Sequence, residues 1–195
     1  MFLAEKGLEW ETVEIDLRKG EQMSVEFRAV NPSATVPVLT NEADGVCITE
    51  NIGIAAYLEA LHPEPPLMGT TPAEKAAILS WNAKCEMGGL MAIAEALRNS
   101  SPAMKGRALP GPKNIEQIPA LAERGLLRLG WFMDGMEARM KDREFVATDH
   151  YTLADITLTV VLDFSKWVKA QPPAETHPNL HAYLARMRER PSYKL

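Results

Sequence analysis

Residues 31–58 read NPSATVPVLTNEADGVCITENIGIAAYL, and the order of signals in them decides the fold. Val36 to Thr40 has strand character. Asp44-Gly45 is a turn signal, and Val46 to Thr49 returns as a second short strand, so the segment predicts a β-hairpin. Helical spacing follows from Asn51 to Leu61, with Ile54, Leu58 and Leu61 apolar. Two dipeptides within this frame carry chemistry. Proline cannot donate to a sheet ladder, so Pro37 at the start of a strand needs a reason. A cis Val36–Pro37 bond would turn the Val36 N–H and C=O outward, ready to pair with an extended ligand backbone. Taken alone, the dipeptide reads more simply as an ordinary trans proline opening an edge strand, because only about 5% of X–Pro bonds in folded proteins are cis. Glu50-Asn51 stands just before a helix, where unpaired N–H groups and the helix dipole favour an anion. Asn51 can donate to a carboxylate and Glu50 can accept from an ammonium, so together they match an α-amino-acid head. Simple capping explains the same two residues and, for the dipeptide alone, is the stronger explanation.

Outward from this stretch, the chain divides at a proline-rich joint, HPEPPLMGTTP from His62 to Pro72, which continues neither helix nor sheet. Before it lie short mixed elements. Residues 2–6 read as the end of a helix stopped at Gly7. Residues 11–17 alternate Val13, Ile15 and Leu17 against Thr12, Glu14 and Asp16, which is strand period. Residues 20–30 suit a short irregular helix ending near Asn31-Pro32. After the joint nearly everything is helical. One long helix is predicted over 73–99, with Cys85, Gly88 and Ala92 spaced to let another helix approach closely. Others are predicted over 114–141, with Leu126, Leu129, Met133, Met136 and Met140 on one face, and over 152–170, with Leu153, Ile156, Val160, Phe164, Trp167 and Val168 periodic. A last helix is predicted over 178–190. The expected units are therefore residues 1–62, a linker at 63–72 and a helical region at 73–195. Thr152-Leu153-Ala154-Asp155 fits a capping box, with Tyr151 and Ile156 placed for a hydrophobic staple; this is a folding element.

Bulk properties exclude several function classes. The 195 residues carry a net charge of −5, with 46% apolar and 24% charged residues, as in an ordinary globular protein. No basic stripe is present, so nucleic acid is not an expected partner. A mildly acidic chain suits anionic membrane surfaces poorly, and no apolar run approaches bilayer length. The opening MFLAEKGLEWETVEID carries charges where a signal peptide needs an apolar stretch. Cys47 and Cys85 form no CxxC and suggest no disulfide framework, so reduced thiols and a cytoplasmic location are expected. The four histidines are scattered; His177 and His181 read as solvated, and no metal site is expected.

NPSATVPVL followed by ITEN resembles the glutathione S-transferase pattern, in which the usual final residue is Ser. REFVATDHYTLADITL and the ending HPNLHAYLARMRERPSYKL are similar to the same family's later helices, although Thr148 stands where glycine is common. The resemblance, to bacterial-type cytosolic members, covers essentially the whole chain. It implies an α/β thioredoxin-like N-terminal domain followed by an all-α helical-bundle C-terminal domain. It implies glutathione as substrate, a small electrophile as co-substrate and a homodimer, with a role of the kind served in detoxification. Carried over, Val36 pairs its backbone with the cysteinyl part of glutathione, Pro37 is cis, Glu50 and Asn51 hold the γ-glutamyl head, and Gln22 contacts the glycine end. The acceptor pocket is expected between the two regions, with Met87, Met91, Met104 and Trp81 as wall candidates; core or dimer packing is the plainer account of all four.

The family lowers the thiol pKa of glutathione with a Ser, Tyr or Cys just after its first strand. Residues 1–10 offer no such segment, because the chain opens at the tail of the corresponding helix. A βαβ unit takes about 30 residues, so the first strand and the catalytic loop, roughly 20 residues, are expected upstream of Met1. The N-terminal domain is then incomplete, and the catalytic residue is unassigned. Cys47 is expected to pack in the sheet and Cys85 in the helical core, where thiols are inert; Tyr57 is too far along its helix to serve. A non-catalytic glutathione-binding or interaction module is the alternative reading.

Overall fold

The structure, a computed structural model, describes residues 1–194; Leu195, the last residue of the predicted helical region, lies outside it. The chain opens with a single turn of helix, α1 (Phe2–Glu5), which ends where Gly7 takes φ +64°, a conformation glycine adopts without steric cost. The strand predicted over 11–17 is not formed. Alternation makes a strand only when a neighbour completes its backbone ladder. Among the described residues the two strands of the hairpin pair only with each other, and Val13 is 82% exposed. A 3₁₀ turn (Glu21–Met23) leads into α2 (Val25–Val30), whose N-cap Ser24 accepts from the Phe27 N–H at 3.1 Å. The hairpin forms as expected, slightly shorter: β1 (Val38–Asn41) runs antiparallel to β2 (Val46–Thr49), with Val38 opposite Thr49 and Asn41 opposite Val46. Asn41 organises the connection by accepting from the Ala43 N–H and donating to Asp44 and to the Tyr57 hydroxyl. Helix α3 (Asn51–Leu61) follows without a loop.

Past the prolines, Thr71 and Glu74 build a capping box, and Pro72 occupies the first helical position of α4 (Pro72–Lys84). The single helix predicted over 73–99 is continuous but not uniform. A stretch of π-helix (Cys85–Leu90) joins α4 to α5 (Met91–Ser100). It coincides with Gly88-Gly89, and both glycines are needed for packing: a Cβ would lie 2.6 Å from the Phe132 ring at Gly88 and 2.5 Å from Val161 at Gly89. Helix α6 (Pro119–Met140) starts five residues later than predicted, because Ile118 is extended and Gln117 instead spends its amide on the Arg98 and Ser101 carbonyls. Its buried stripe is Ala122, Gly125, Leu129, Met133, Met136 and Met140; Leu126, expected on that face, is exposed.

Helix α7 (Leu153–Phe164) continues into a 3₁₀ turn (Ser165–Val168). Every residue from Leu153 to Thr159 is buried, so this helix has no solvent face over its first two turns; the predicted apolar positions Phe164 and Trp167 are exposed. The capping box is present, with Asp155 accepting from both the N–H and the hydroxyl of Thr152. Tyr151 and Ile156, the staple pair, are both in the core. Helix α8 (Pro178–Arg188) closes the bundle. The core lies between the π-helical stretch, α6, α7 and α8, and includes Cys85, Leu129, Met133, Leu158, Val161 and Tyr183.

Candidate functional site

The loop into β1 is built around Asn31. Its side chain is buried, donates to the Thr35 carbonyl at 2.8 Å and hydroxyl at 3.1 Å, and accepts from the Ser33 N–H. This fixes the backbone immediately before Val36 and holds Ala34 at φ +53°. The Val36–Pro37 peptide is cis. Val36 is exposed, and among the described residues its backbone N–H and C=O enter no hydrogen bond.

On the partner strand, Glu50 sits at φ +67°, ψ +130° as the N-cap of α3, and no side chain caps this helix. Non-glycine residues in the left-handed half of the map cost on the order of 1–3 kcal/mol and gather at functional sites. Here two of them, Ala34 and Glu50, bracket the hairpin. The register places the two dipeptides together. Val38 opposite Thr49 is the last pair of the ladder; Pro37 immediately precedes Val38, and Glu50 immediately follows Thr49 as the N-cap of α3. Gly53 in the first turn of α3 lets β2 approach, since a Cβ there would lie 3.2 Å from Ile48.

Asn51 lines a cavity of about 250 Å³ between α3, α1 and the helical bundle. Its walls include Met1 and Phe2 from α1, Asn82, Glu86 and Leu90 from the α4–α5 run, and Ile156 and Thr157 from α7. Asn82 and Thr157 are buried and joined at 2.6 Å. A larger recess of about 520 Å³ lies between α3, the proline-rich joint and α4; it contains none of the predicted site residues. Gln22 is buried in the 3₁₀ turn after Gly20, and its Oε1 has no hydrogen-bond partner among the described residues. No hydrogen bond joins it to the hairpin.

Several sequence expectations change. None of Met87, Met91, Met104 and Trp81 lines the cavity beside Asn51. Met87 and Met91 are exposed, and Trp81 is stacked between Lys84 and Arg139, whose cationic groups lie 4.0 and 4.2 Å from its ring centroid. The wall is instead the neighbouring face 82, 86, 90, a four-residue spacing that marks Asn82 and Glu86 as polar groups on an inward stripe. Cys47 is exposed rather than packed, because alternation along β2 sends Val46 and Ile48 inward and the thiol outward. Cys85 is buried as expected, and desolvation, aided by the Asp155 and Glu86 charges, pushes its pKa up to about 12. His177 is buried rather than solvated, bonded to Asp134 at 3.1 Å and Thr176 at 2.8 Å; His181 is exposed. Among the described residues, no group of three or more His, Cys, Asp or Glu is placed to hold a metal ion, and no helix is long and apolar enough to cross a membrane.

Comparison with known proteins gives the same architecture a family. The glutathione S-transferase N-terminal domain model matches residues 1–61, and the C-terminal domain model matches residues 120–191. Glutathione S-transferase 2 of Saccharomyces cerevisiae is 36% identical over 197 residues, spanning 98% of this chain and 80% of that protein. The crystal structure of Gtt2 from Saccharomyces cerevisiae superposes with a TM-score of 0.88 at 34% identity, over 99% of this chain and 90% of that one. A glutathione S-transferase domain-containing protein from Marinobacter aquaeolei superposes with a TM-score of 0.89 at 31% identity, over 98% of this chain and 91% of that one. The expectation of a missing first strand and catalytic loop finds no support in these matches. With both domain models in order along one chain and a relative aligned over nearly all of it, the chain belongs to the glutathione S-transferase family of enzymes, a thioredoxin-like domain followed by a helical one.

Proposed function

We propose that the chain binds glutathione along the open edge of its hairpin and uses the thiolate sulfur on a small electrophile. In this reading the Glu50 carboxylate accepts from the γ-glutamyl ammonium. The Asn51 amide and the uncapped first turn of α3 donate to the γ-glutamyl carboxylate. The free backbone groups of Val36 pair with the cysteinyl unit as an added strand would, and Gln22 reaches the glycine end. The thiolate then attacks the electrophilic carbon, a C–S bond forms, and the displaced group leaves with its electron pair. The electrophile enters from the cavity beside Asn51, between residues 1–62 and residues 73–195, joined by the linker at 63–72. The family resemblance supports a cytoplasmic homodimer, with no nucleic acid, membrane or metal in its work.

One observation carries this reading. The hairpin register ends with Val38 against Thr49, so the Val36 backbone, without a hydrogen-bond partner among the described residues, leads into one strand while Glu50 and a helix start with no side-chain cap follow the other, an arrangement that supports recognition of the two ends of a γ-glutamyl-cysteinyl unit. Calorimetric titration with reduced glutathione tests it. A hydrogen bond to a charged group is worth about 1.5–3 kcal/mol, so Glu50→Gln is expected to weaken binding by about 10- to 100-fold. Equal affinity in wild type and Glu50→Gln, or a flat wild-type titration, overturns the assignment. Binding without turnover of any aryl halide would favour a non-catalytic glutathione-binding module, a reading the family relatives do not favour.

A further inference from the structure

The connection between α5 and α6 carries two arginines that the glutathione site as described does not use. Arg98 lies in the last turn of α5 and is half-buried. Its guanidinium donates to the Arg107 carbonyl at 2.9 Å. Arg107, also half-buried, donates once, to the Leu17 carbonyl at 3.4 Å. A guanidinium has five N–H donors and cannot give up its charge. Among the described residues neither arginine forms an ion pair with a carboxylate. Other shielded arginines here are better satisfied. Arg190 forks onto Glu5, Arg128 pairs with Glu95, and Arg139 places two bonds on Val146 and its face on Trp81. The Arg98 guanidinium thus lies against the Arg107 main chain, and a half-buried cation without a counter-charge costs free energy, which an anion beside it would recover. Burial and the neighbouring Arg107 charge both hold the Arg98 pKa below its ordinary value.

The pair is also held in place. Residues 106–115 are closed by Ile115 N–H to Gly106 at 2.9 Å and Ala108 N–H to Ile115 at 3.0 Å. Gln117 clamps the Arg98 and Ser101 carbonyls, and the Asn99 side chain accepts from Ile118. The same loop leans on the N-terminal half at two points. Arg107 touches Leu17, in the turn that leads into Gln22, and a Cβ at Gly111 would lie 3.4 Å from the carbonyl of Ser33, in the loop that leads into Val36. The arginines therefore sit where the two loops bearing Gln22 and Val36 meet the helical bundle.

We propose that Arg98 and Arg107 form a carboxylate-binding subsite, taking either the glycine carboxylate of glutathione or a carboxylate on the acceptor. The link to glutathione rests on the proposed function; the anion site itself does not. Thermal unfolding with malonate as probe, against chloride at equal ionic strength, tests the site directly. Wild type is expected to gain stability from malonate, and Arg98→Gln and Arg107→Gln to lose that gain. Arg107→Lys, which keeps the charge without the fork, is expected to keep part of it. Arg18→Gln, an exposed cation beside Leu17, is expected to keep it all. No gain in wild type, or equal loss in the Arg18→Gln control, overturns the site.

Two kinetic comparisons then assign the source. A preference of about tenfold or more for glutathione over its glycine ethyl ester, collapsing to near unity in Arg107→Gln, assigns the glycine carboxylate. The same collapse between a nitroaryl chloride bearing a carboxylate and its amide assigns the acceptor. If glutathione binds and turns over but neither pair of ligands is discriminated, the proposal fails even where malonate binds. A flat glutathione titration in wild type refutes the proposed function alone, because the malonate comparison still decides the arginine site.

Discussion

Removing the Asp155 carboxylate should be among the most damaging single changes in this chain, and the size follows from its partners. Asp155 has no exposed surface. Its oxygens accept from the Val146 N–H at 2.8 Å, the Thr152 N–H and hydroxyl at 2.9 Å each, and the Tyr183 hydroxyl at 3.1 Å. It thus ties the segment before α7, the start of α7 and the middle of α8 to one point. Asp155→Ala strands two backbone N–H groups that cannot turn elsewhere, each worth about 1–3 kcal/mol when buried unpaired. The hydroxyls can rotate, and Tyr183 keeps a second acceptor in the Asp155 carbonyl at 3.1 Å. Relief of a buried charge offsets part of the loss, so about 3–5 kcal/mol is expected, or a fall in Tm of about 6–20 °C for a chain of this size. Burial holds the Asp155 pKa above its ordinary value of 3.8 despite the four donors. A carboxyl raised in the folded state contributes most below its unfolded pKa, so the gap to wild type should not close in acid. Urea unfolding monitored by far-UV circular dichroism from pH 7 down to pH 4 measures both quantities. A loss under about 1 kcal/mol at pH 7, or a gap that vanishes on acidification, would refute the reasoning.

Other expectations follow from single contacts. Gly125→Ala would set a Cβ 2.7 Å from the Ala92 carbonyl and 2.8 Å from the Ala96 nitrogen, where α5 crosses α6, and should cost about 1–3 kcal/mol or more in denaturant unfolding. Gly135→Ala, on the same helix with nothing within 4 Å, should instead add roughly 0.5–1 kcal/mol; equal effects at the two sites would contradict the packing described. The Glu74 carboxylate accepts from the Thr70 N–H, the Thr70 hydroxyl and the Thr71 N–H, which lower its pKa from 4.5 to about 2. The stability it adds is therefore complete above about pH 4.5 and lost as the pH falls toward 2, so Tm curves of wild type and Glu74→Ala should converge only in that window. Lys6 buries its ammonium against Glu59 at 2.5 Å and the His62 and Pro65 carbonyls at 2.7 and 2.6 Å. Lys6→Met should cost about 3–5 kcal/mol by leaving Glu59 uncompensated, and Lys6→Met with Glu59→Leu should recover much of it; additive losses in the double-mutant cycle would remove the pair from the account.

The parts of this fold written in local sequence were readable, and those set by distant neighbours were not. Asp44-Gly45, Asn51 to Leu61 and Thr152-Asp155 each specify their geometry within a few residues, and the hairpin, α3 and the α7 capping box appear where those signals stand. The alternation over 11–17 is as regular as that of β2, yet no ladder forms there, because a strand is a property of two segments. The π-helical stretch keeps an apolar pattern that an α-helix would share, so only the close approach of Phe132 and Val161 reveals it. Cys47 and His177 show the same limit for side chains. Whether Cys47 meets protein or water depends on what covers the hairpin, and the partner of buried His177 is Asp134 on α6, 43 residues away. Within the candidate site, Val36, Glu50 and Asn51 were singled out by the order of their motifs together with the family resemblance. Asn82, Glu86 and the Arg98–Arg107 pair required knowing how the helices turn and where the α5–α6 loop lands.

A two-stranded hairpin with one helix does not hold its own shape in water, so the position of the proposed glutathione-binding edge must be set by what the helical bundle does to it. The ties run through the two ends of the small domain rather than through its sheet. At one end Lys6 and Glu59 bind α1 and α3 to the proline-rich joint, and Arg190 and Ser192, at the end of the chain, grip Glu5 from the other side. Opposition between these contacts fixes α1, which contributes Met1 and Phe2 to the wall facing Asn51. At the other end, residues 106–115 lean on the loops that present Gln22 and Val36. The bundle therefore touches this edge through α1 near Asn51, the proposed γ-glutamyl end, and through an arginine-bearing loop near Gln22 and Val36, toward the proposed glycine end. A ligand laid along β1 would feel both, and a change in the α5–α6 connection should move its glycine end without disturbing Glu50 and Asn51.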